Sequence, residues 1–458
     1  MRELIISCDK FDFISILEVT GHKAVNEHAS FSVKGHIAKE SDEYVLRGAA
    51  RQHVSFTASS TDGDQKMLFN GLINSIDIHT ENEMRILTVN VDSQSVLMDI
   101  EPEIRTFQDA NMTYQNITNH MEVKNSNFNF LWPSDGNRPI QSMTVQYKET
   151  DWQYAKRLAG RLGTVVVPDY LLDNPYISIG MTKRPVKPGI EAISYAMKKD
   201  VEQFRAFQAS GPYSERDAIY YIVKSREIFD LCDPIPFLGL SLYVYAIDTR
   251  YEGEELVHYY TLKEKEGFFT PHIYNTNIIG ATLRGRVKEI IQDKVRIDVD
   301  GDVLQTEHKW FPYATPFTQP GGYGWYFMPE IGDEIRLQFP SEQEYDSYVS
   351  SAVHVTHGNR QDPQVKYIRT VYGQIIQFDP QKILIDDGAG SSITIHKNQG
   401  ISMATNNSIN IGATADITLS ANGKVTIAGQ DGVVMQKNGS VINIDNSIDI
   451  SSGHTRMQ

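Results

Sequence analysis

Between Ile393 and Val433 the hydrophobic positions recur every eight residues, through six consecutive units. In each unit an apolar residue, a mostly small and polar residue and a second apolar residue follow one another, which is the period of a strand with one buried face. The five residues after each pair are rich in Gly, Asn, Asp and Ser, which favour turns. The pattern therefore predicts one short strand and one corner per unit. The twelve apolar positions of this predicted core are Ile393, Ile395, Ile401, Met403, Ile409, Ile411, Ile417, Leu419, Val425, Ile427, Val433 and Met435.

A unit that buries only two side chains is not stable alone and must stack on further units. One chain could coil on itself, but six units at three per turn give only about two turns, below the roughly three repeats that such arrays need. Three chains wound around one axis, each giving one strand per layer, leave no lateral strand edge open and supply more core. We therefore predict a C-terminal intertwined trimeric β-helix, on the order of 30 Å long at about 4.8 Å per layer. A surface β-meander or a low-complexity tail is the alternative.

Earlier in the chain, apolar residues alternate with polar ones in several short runs. Residues 30–37, 87–92 and 218–225 are such runs, and each predicts a strand with one buried face. Residues 242–262 predict a hairpin, because two aromatic-rich runs flank the turn residues Glu-Gly-Glu. We therefore expect residues 1–275 to form a mainly β domain with a few helices.

One helix is predicted from residue 151 onward. Thr150 and Gln153 have the spacing of a capping box, and Gly163 supplies a C-terminal stop. Between them, Trp152 and Leu158 belong to an apolar stripe with helical spacing. Such a stripe faces a core, so we interpret Trp152 as a packing residue rather than as a platform for a ligand.

A compact all-β segment follows over residues 276–355. It contains alternating runs, a turn at residues 300–302 and a tight turn at Gly332 between two further predicted strands. A closed five-stranded barrel is the simplest fold that accommodates short strands in a segment of this length. Residues 356–458 comprise a linker and the octad repeats, and no aromatic residue or glutamate follows Phe378. A core two residues wide has no room for rings, so this absence supports the predicted β-helix.

Composition excludes several classes of function. The 458-residue chain carries a net charge of −15, whereas phosphate recognition by nucleic-acid binders needs clustered lysine and arginine. No apolar run of about 18 residues is present, so stable membrane insertion is not expected. The N-terminus lacks a basic segment followed by a long apolar stretch, so we expect synthesis in the cytoplasm without a signal peptide. The two cysteines, Cys8 and Cys232, suggest a reducing compartment and buried thiols rather than a disulfide framework.

Three segments resemble one known family. Residues 149–163, ETDWQYAKRLAGRLG, are similar to the E-S-D-(W/F)-x-F-x-x-R-L-x-x-x-x-G element of late-control and VgrG hubs. Residues 310–339 follow the pattern W…G-x-(F/W)-(F/Y)-x-P-E-x-G-D-E-V, and residues 367–379 resemble the family's lead-in to its spike. Over essentially its whole length, the chain resembles the VgrG family and the hub–spike proteins of contractile phage tails. The structural positions that match are Trp152, Trp310, Gly324, Trp325, Pro329, Gly332 and Asp333.

The resemblance implies a mainly β chain with three parts: a barrel-containing hub domain, a small OB-fold barrel that the aromatic motif residues fill, and a trimeric β-helix needle. It implies a homotrimer that caps the inner tube of a contractile injection system and punctures the target envelope when the sheath contracts. Inner-tube and baseplate proteins are the implied partners, together with a PAAR-like tip protein and non-covalently attached cargo. The protein would belong to an assembled virion-like or extracellular particle, with a type VI secretion spike as the alternative.

Neither catalysis nor a cofactor is expected. Some relatives insert a lysozyme between barrel and spike or append an effector, whereas here we expect only a short linker and a short C-terminal tail. His354 and His357 have H-x-x-H spacing but supply at most half of a tetrahedral site, and His454 lacks the H-x-H motif of metal-holding spike tips, so no metal is predicted. A β-helical tailspike that cleaves polysaccharide is the rival from another class, and units too short to form an acidic groove count against it. A receptor-binding tail fibre is a further alternative, although a fibre needs no hub.

Overall fold

The computed structural model describes residues 4–38, 52–60, 65–124, 128–133, 135–174, 176–303, 307–319, 321–350, 362–444, 447–451 and 453–454. By its contacts the chain divides into two compact units, Met1–His354 and Val355–Gln458. Both units are built mainly from β-strands. Within the described ranges, no helix is long and apolar enough to cross a membrane.

The first unit contains a large antiparallel sheet and a smaller layer of helices and short strands. Its strands up to residue 263 are β1 (Leu4–Cys8), β2 (Phe13–Ala24), β3 (Ser30–Ile37), β4 (His53–Ser60), β5 (Gln65–Glu81), β6 (Met84–Asp92), β7 (Glu103–Phe107), β8 (Asn129–Leu131), β9 (Thr144–Glu149), β10 (Val166–Pro168), β11 (Tyr176–Ile179), β12 (Ser194–Lys199), β13 (Ile219–Ser225), β14 (Pro234–Phe237), β15 (Leu240–Glu252) and β16 (Glu255–Lys263). Its described helices are α1 (Tyr114–Lys124), α2 (Asp151–Arg161) and α3 (Val201–Phe207), with 3-10 turns at Gln94–Asp99, Lys265–Phe268 and Thr276–Ile278.

Eleven of these strands form one nearly closed barrel sheet, in the order β1-β4-β5-β6-β3-β2-β15-β16-β13-β12, with β14 added to β15. The two halves of the sheet meet where β2 pairs with β15, and Ala24 lies opposite Ala246. The three predicted strands are confirmed as β3 and as parts of β6 and β13. The predicted hairpin is confirmed as β15 and β16, which turn at residues 253–254. One hydrophobic core lies against this sheet, because every second residue of its strands is apolar.

The predicted helix is confirmed as α2. The Thr150 hydroxyl accepts a hydrogen bond from the Gln153 backbone NH, and the Gln153 side chain accepts one from the Thr150 NH, which completes the capping box. Gly163 follows the helix end with φ +64°, a conformation that glycine adopts without strain. Trp152 is 1% exposed in a second hydrophobic core shared with α1, β7, β8, β10 and β11. This burial agrees with its interpretation as a packing residue.

An OB-type barrel completes the first unit. It consists of β17 (Thr282–Ile291), β18 (Lys294–Val299), β19 (Phe311–Pro312), β20 (Glu334–Gln338) and β21 (Tyr348–Ser350), with a 3-10 turn at Glu344–Asp346. The strand order is β19-β18-β17-β20-β21, and a parallel bridge from Tyr313 to Val349 brings the two ends of the sheet together. The predicted five-stranded barrel is thus confirmed. The strand predicted before Gly332 is absent, because residues 325–330 have no ladder partner in the described part of the chain.

The barrel interior differs from the expectation that its motif aromatics fill it. Phe311, Phe339 and aliphatic side chains such as Ile297 and Leu337 form its core. Trp325 is 50% exposed and lies outside the core. The expectation is wrong for Trp325 because this residue belongs to a loop, where no strand alternation directs its side chain inward.

The second unit is a pair of antiparallel meanders. Its strands are β22 (Lys366–Arg369), β23 (Ile375–Phe378), β24 (Lys382–Asp386), β25 (Ser392–His396), β26 (Gly400–Ala404), β27 (Val433–Lys437), β28 (Ser440–Ile444) and β29 (Ile448–Ser451). The first two octads pair directly, with Ile393 opposite Met403 and Ile395 opposite Ile401. The described residues 405–432 contain no strand, so one strand per octad is found only at the two ends of the repeat. This antiparallel pairing of consecutive octads is the β-meander named above as the alternative, and the single chain does not show the predicted β-helix in its described residues. The pairing forms because the turn at residues 397–399 reverses the chain in a hairpin. Gly400, directly after this turn, has φ +79°.

Candidate functional site

A buried cluster of charged side chains joins α2 to the OB-type barrel. We call Glu149, Arg157, Arg161 and Glu344 the joint cluster. Arg157 is 2% exposed, and its Nε and Nη2 donate hydrogen bonds to the Glu149 carboxylate at 3.0 and 2.8 Å. Its Nη1 donates to Glu344 Oε1 at 2.6 Å, and Arg161 Nη2 donates to the other oxygen of Glu344 at 2.6 Å. Two guanidinium groups of one helix thus hold a carboxylate that belongs to the barrel.

The charged groups of the joint cluster stabilise one another only while every member of the cluster is present. Burial would raise the pKa of Glu344, but Arg157 and Arg161 lower it below its ordinary value and keep the carboxylate ionised. The neighbouring Asp151 is also buried and accepts a hydrogen bond from Arg105 Nη1 at 2.6 Å. Removing one partner from such a network leaves an uncompensated buried charge, which is strongly destabilising. The arrangement suits a rigid joint between two folded parts.

Sequence reasoning found only part of this cluster. The hub motif contains Glu149, Asp151 and Arg157, but nothing in its spacing indicates that all three are buried and paired. Glu344 was missed because 187 positions separate it from Arg157. Arg105 was missed for the same kind of reason. Only paired variation among related sequences could have indicated such contacts.

A second polar cluster lies where β7 meets the barrel. The Gln108 side-chain amide donates to Asp302 Oδ2 at 2.6 Å, and His308 Nε2 lies 2.9 Å from Asp298 Oδ1. The Asp302 side chain is fully shielded from solvent. Burial raises the pKa of Asp302 to about 6, although the hydrogen bond from Gln108 and the nearby His308 oppose the shift. A cavity of about 300 Å³, lined in part by Gln108, His308 and the motif residue Trp310, adjoins this cluster.

Replacing Asp302 with asparagine is expected to stabilise the protein at neutral pH. A carboxyl group whose folded-state pKa is raised contributes most stability below its unfolded pKa, near 4, and loses that contribution as the pH rises through about 6. The gain from Asp302→Asn should be on the order of 2 kcal/mol at pH 7.5 and should vanish at pH 4. Urea unfolding at both pH values measures it. Asp300→Asn, at an exposed position of the same turn, is the matched control. Equal effects of the two variants at pH 7.5 would contradict the assignment.

The predicted core residues of the octads are apolar and exposed. Eleven of the twelve are between 37% and 73% exposed, and Val433 is partly buried. Ile411 and Leu419, in the part without strands, are 73% and 69% exposed. Contiguous apolar surface on this scale is characteristic of interaction sites. The octads are therefore a candidate interaction surface.

The remaining motif residues lie on the barrel and its long loop. Gly332 occupies a tight turn with φ +92°, and Asp333 Oδ2 in that turn accepts a hydrogen bond from the Glu330 NH at 2.9 Å. Pro329 is buried. Trp310 is partly buried, with the Arg296 guanidinium 4.6 Å from the centre of its ring. Gly324 and Trp325 belong to an exposed hairpin loop that the structure describes except for residue 320.

The candidate metal and thiol residues that the structure describes form no further site. His354 and His357 lie outside the described residues, and His454 is exposed. Among the residues that the structure describes, no group of three His, Cys, Asp or Glu side chains has the geometry to hold a metal ion. Burial raises the pKa of the Cys8 thiol to about 11, and it raises the pKa of buried Cys232 as well. Both thiols are therefore protonated at neutral pH.

Comparison with known proteins agrees with this architecture. Residues 283–354 match the type VI secretion system/phage-baseplate injector OB domain. No curated protein sequence matches the chain. An E. coli protein, c3393, has a similar fold with a TM-score of 0.52 and 13% identity, over 75% of this chain and 99% of its own. It is described as a type VI secretion system component structurally similar to the T4 bacteriophage tail proteins gp27 and gp5. The half-lidded Francisella PdpA–VgrG complex contains a similar chain, with a TM-score of 0.55 and 9% identity over 88% of both chains.

These similarities agree with the motifs in the sequence. The OB match covers the barrel of β17–β21, and the two similar folds cover 75% and 88% of this chain. The VgrG-type hub element lies in α2, which carries half of the joint cluster. Residues 283–354 therefore match the type VI secretion system/phage-baseplate injector OB-domain family, and the fold of the chain is similar to that of E. coli c3393 and of a chain in the Francisella PdpA–VgrG complex, in agreement with the VgrG-like motifs of the sequence.

Proposed function

We propose that the protein is a non-enzymatic structural component of a contractile injection system, and that it acts as a homotrimeric hub and spike. The observation that carries this proposal is the exposed octad surface, in which eleven of the twelve apolar side chains that repeat every eight residues are more than one third exposed in the single chain. Three chains wound together would bury these side chains and give residues 405–432 the strand partners that one chain does not supply. The twelve octad positions named above would then be the core of the shaft.

We assign one role to each of the three consecutive regions of the chain. Residues 1–275 would form the hub that docks on the inner tube and baseplate, residues 276–355 the OB collar, and residues 356–458 the linker and needle. A needle driven through an envelope must resist buckling, which continuous ladder hydrogen bonding between interwound strands provides. The joint cluster would transmit the load rigidly from hub to collar.

Partners and setting are part of the same proposal. A PAAR-like tip protein would cover the open strand edges at the needle end. Because a chain of this fold is found in the Francisella PdpA–VgrG complex, we also propose that cargo binds without covalent linkage. A phage-tail-like or extracellular particle is the favoured setting, and a type VI secretion spike is the second candidate. The similarity to the E. coli type VI component keeps that candidate open.

The mass of the purified protein in solution, together with electron microscopy, tests the proposal. We expect a particle of three 51.8 kDa chains with a globular head and a thin shaft. A monomer with a globular outline would refute the trimeric needle. Hydrolysis of peptidoglycan or polysaccharide by the purified trimer would refute the non-enzymatic assignment and favour the tailspike alternative.

A further inference from the structure

The exposed hairpin loop of the barrel carries an uncharged aromatic surface. We call residues 317–319 and 321–327 the aromatic loop. The Trp325 NH donates to the Phe317 carbonyl at 2.9 Å, and a bridge between Thr318 and Gly324 closes the hairpin. A Cβ at Gly324 would lie 2.3 Å from the Phe317 carbonyl oxygen, so only glycine permits this close approach. The loop therefore holds its side chains in a defined arrangement.

The side chains that this loop presents are large and apolar. Phe317, Tyr323, Trp325, Tyr326 and Phe327 are each between 50% and 70% exposed. The Trp325 and Phe327 rings lie 5.5 Å apart. Residues 313–329 contain no charged side chain, although the chain as a whole carries a net charge of −15. Enrichment in aromatic residues and depletion of charge characterise the buried core of protein–protein interfaces.

We propose that the aromatic loop docks on a second copy of this chain, and so forms a contact between neighbouring OB barrels of the trimer. The inference rests on the proposed trimer. Residues 351–365 connect β21 to β22, and a chain of that length spans at most about 50 Å. A three-stranded shaft would therefore confine the three barrels at an effective concentration in the millimolar range. At such concentrations even a weak contact forms.

The net negative charge of the chain also favours contact between copies at the aromatic loop. Three copies of an acidic chain repel one another wherever charged surfaces meet, so contact between copies is least costly at an uncharged patch. The loop supplies such a patch on the barrel that directly precedes the proposed shaft in sequence. Its aromatic side chains lose little conformational entropy on binding because each has only two rotatable side-chain bonds.

Hydroxyl-radical labelling of the full-length protein, read by mass spectrometry, tests this contact. In the trimer, labelling of Trp325 and Phe327 should fall by about threefold or more relative to the rate expected from their exposure, since a residue in an interface core loses most of its accessible surface. Tyr345, 58% exposed on the same part of the chain, is the matched control and should label freely. The comparison sample is an Ile409→Asp/Ile417→Asp variant that lacks the shaft core, in its monomeric fraction. There Trp325 and Phe327 should label at the full rate.

The labelling of the trimer and of the monomer together distinguishes the following outcomes. Shielding in the trimer with exposure in the monomer supports the contact between copies. Free labelling of the loop in a confirmed trimer overturns this inference and leaves the proposed function intact. Shielding in both samples overturns it as well, because the occupant is then a segment of the same chain. A wild-type protein that is monomeric overturns the proposed trimer and this contact together.

Discussion

Replacing Ile409 and Ile417 with aspartate is expected to convert the trimer into monomers. Both residues are more than half exposed in the single chain, and in the proposed shaft they would occupy consecutive core layers. Burying an isoleucine contributes about 1.5–3 kcal/mol, and three chains lose that contribution in each layer. The carboxylates that replace them would meet around the axis without counter-charges, which adds a desolvation cost. Light scattering after size-exclusion chromatography measures the change in mass.

The matched control places the same charge one residue further along. Asn410→Asp and Thr418→Asp fall between the apolar positions and would face solvent in the shaft. That variant should remain trimeric with only a modest fall in thermal stability. If both variants dissociate equally, net charge rather than core burial controls assembly. If the isoleucine variant stays trimeric, the octads are not the shaft core.

Replacing Arg157 with methionine is expected to destabilise the first unit by about 3–5 kcal/mol, the typical cost of removing one partner from a buried ion pair. Methionine keeps much of the side-chain volume, so the effect isolates the charge. Without Arg157, the buried carboxylates of Glu149 and Glu344 lose their shared cation, although Arg161 still pairs with Glu344. Denaturant unfolding monitored by tryptophan fluorescence measures the loss.

Two further variants make this prediction specific. Arg216→Met removes an arginine that pairs with Glu264 at an exposed site, and it should change stability little because solvent screens that pair. Adding Glu149→Gln to Arg157→Met removes the carboxylate whose ion-pair partner is lost, while Glu344 keeps its pair with Arg161, and should recover part of the lost stability. The assignment of a stabilising buried ion network fails if Arg157→Met behaves like Arg216→Met, or if the double variant is less stable than the single one.

Features governed by short-range patterns were predictable. The cap at Thr150 and the stop at Gly163 define α2 from a dozen neighbouring residues, because capping and positive φ are local properties. The hairpin of β15 and β16 followed from alternation around one turn. The aromatic loop was misjudged because strand alternation was assumed where the loop has no ladder partner. The side of a barrel on which a loop residue lies depends on contacts that no local pattern records.

The sequence alone determined the octad period, the mainly β character and the motifs that indicate a hub, a barrel and a spike. Each of these features depends only on residues that are close together along the chain. Only the tertiary structure revealed that Arg157 meets Glu344, that β2 pairs with β15 across more than two hundred positions, and that Trp325 faces solvent. The physical reason is the same in all three cases. Pairing of buried charges, sheet closure and surface exposure are set by which distant segments the folded chain brings together, and spacing along the chain carries no information about that.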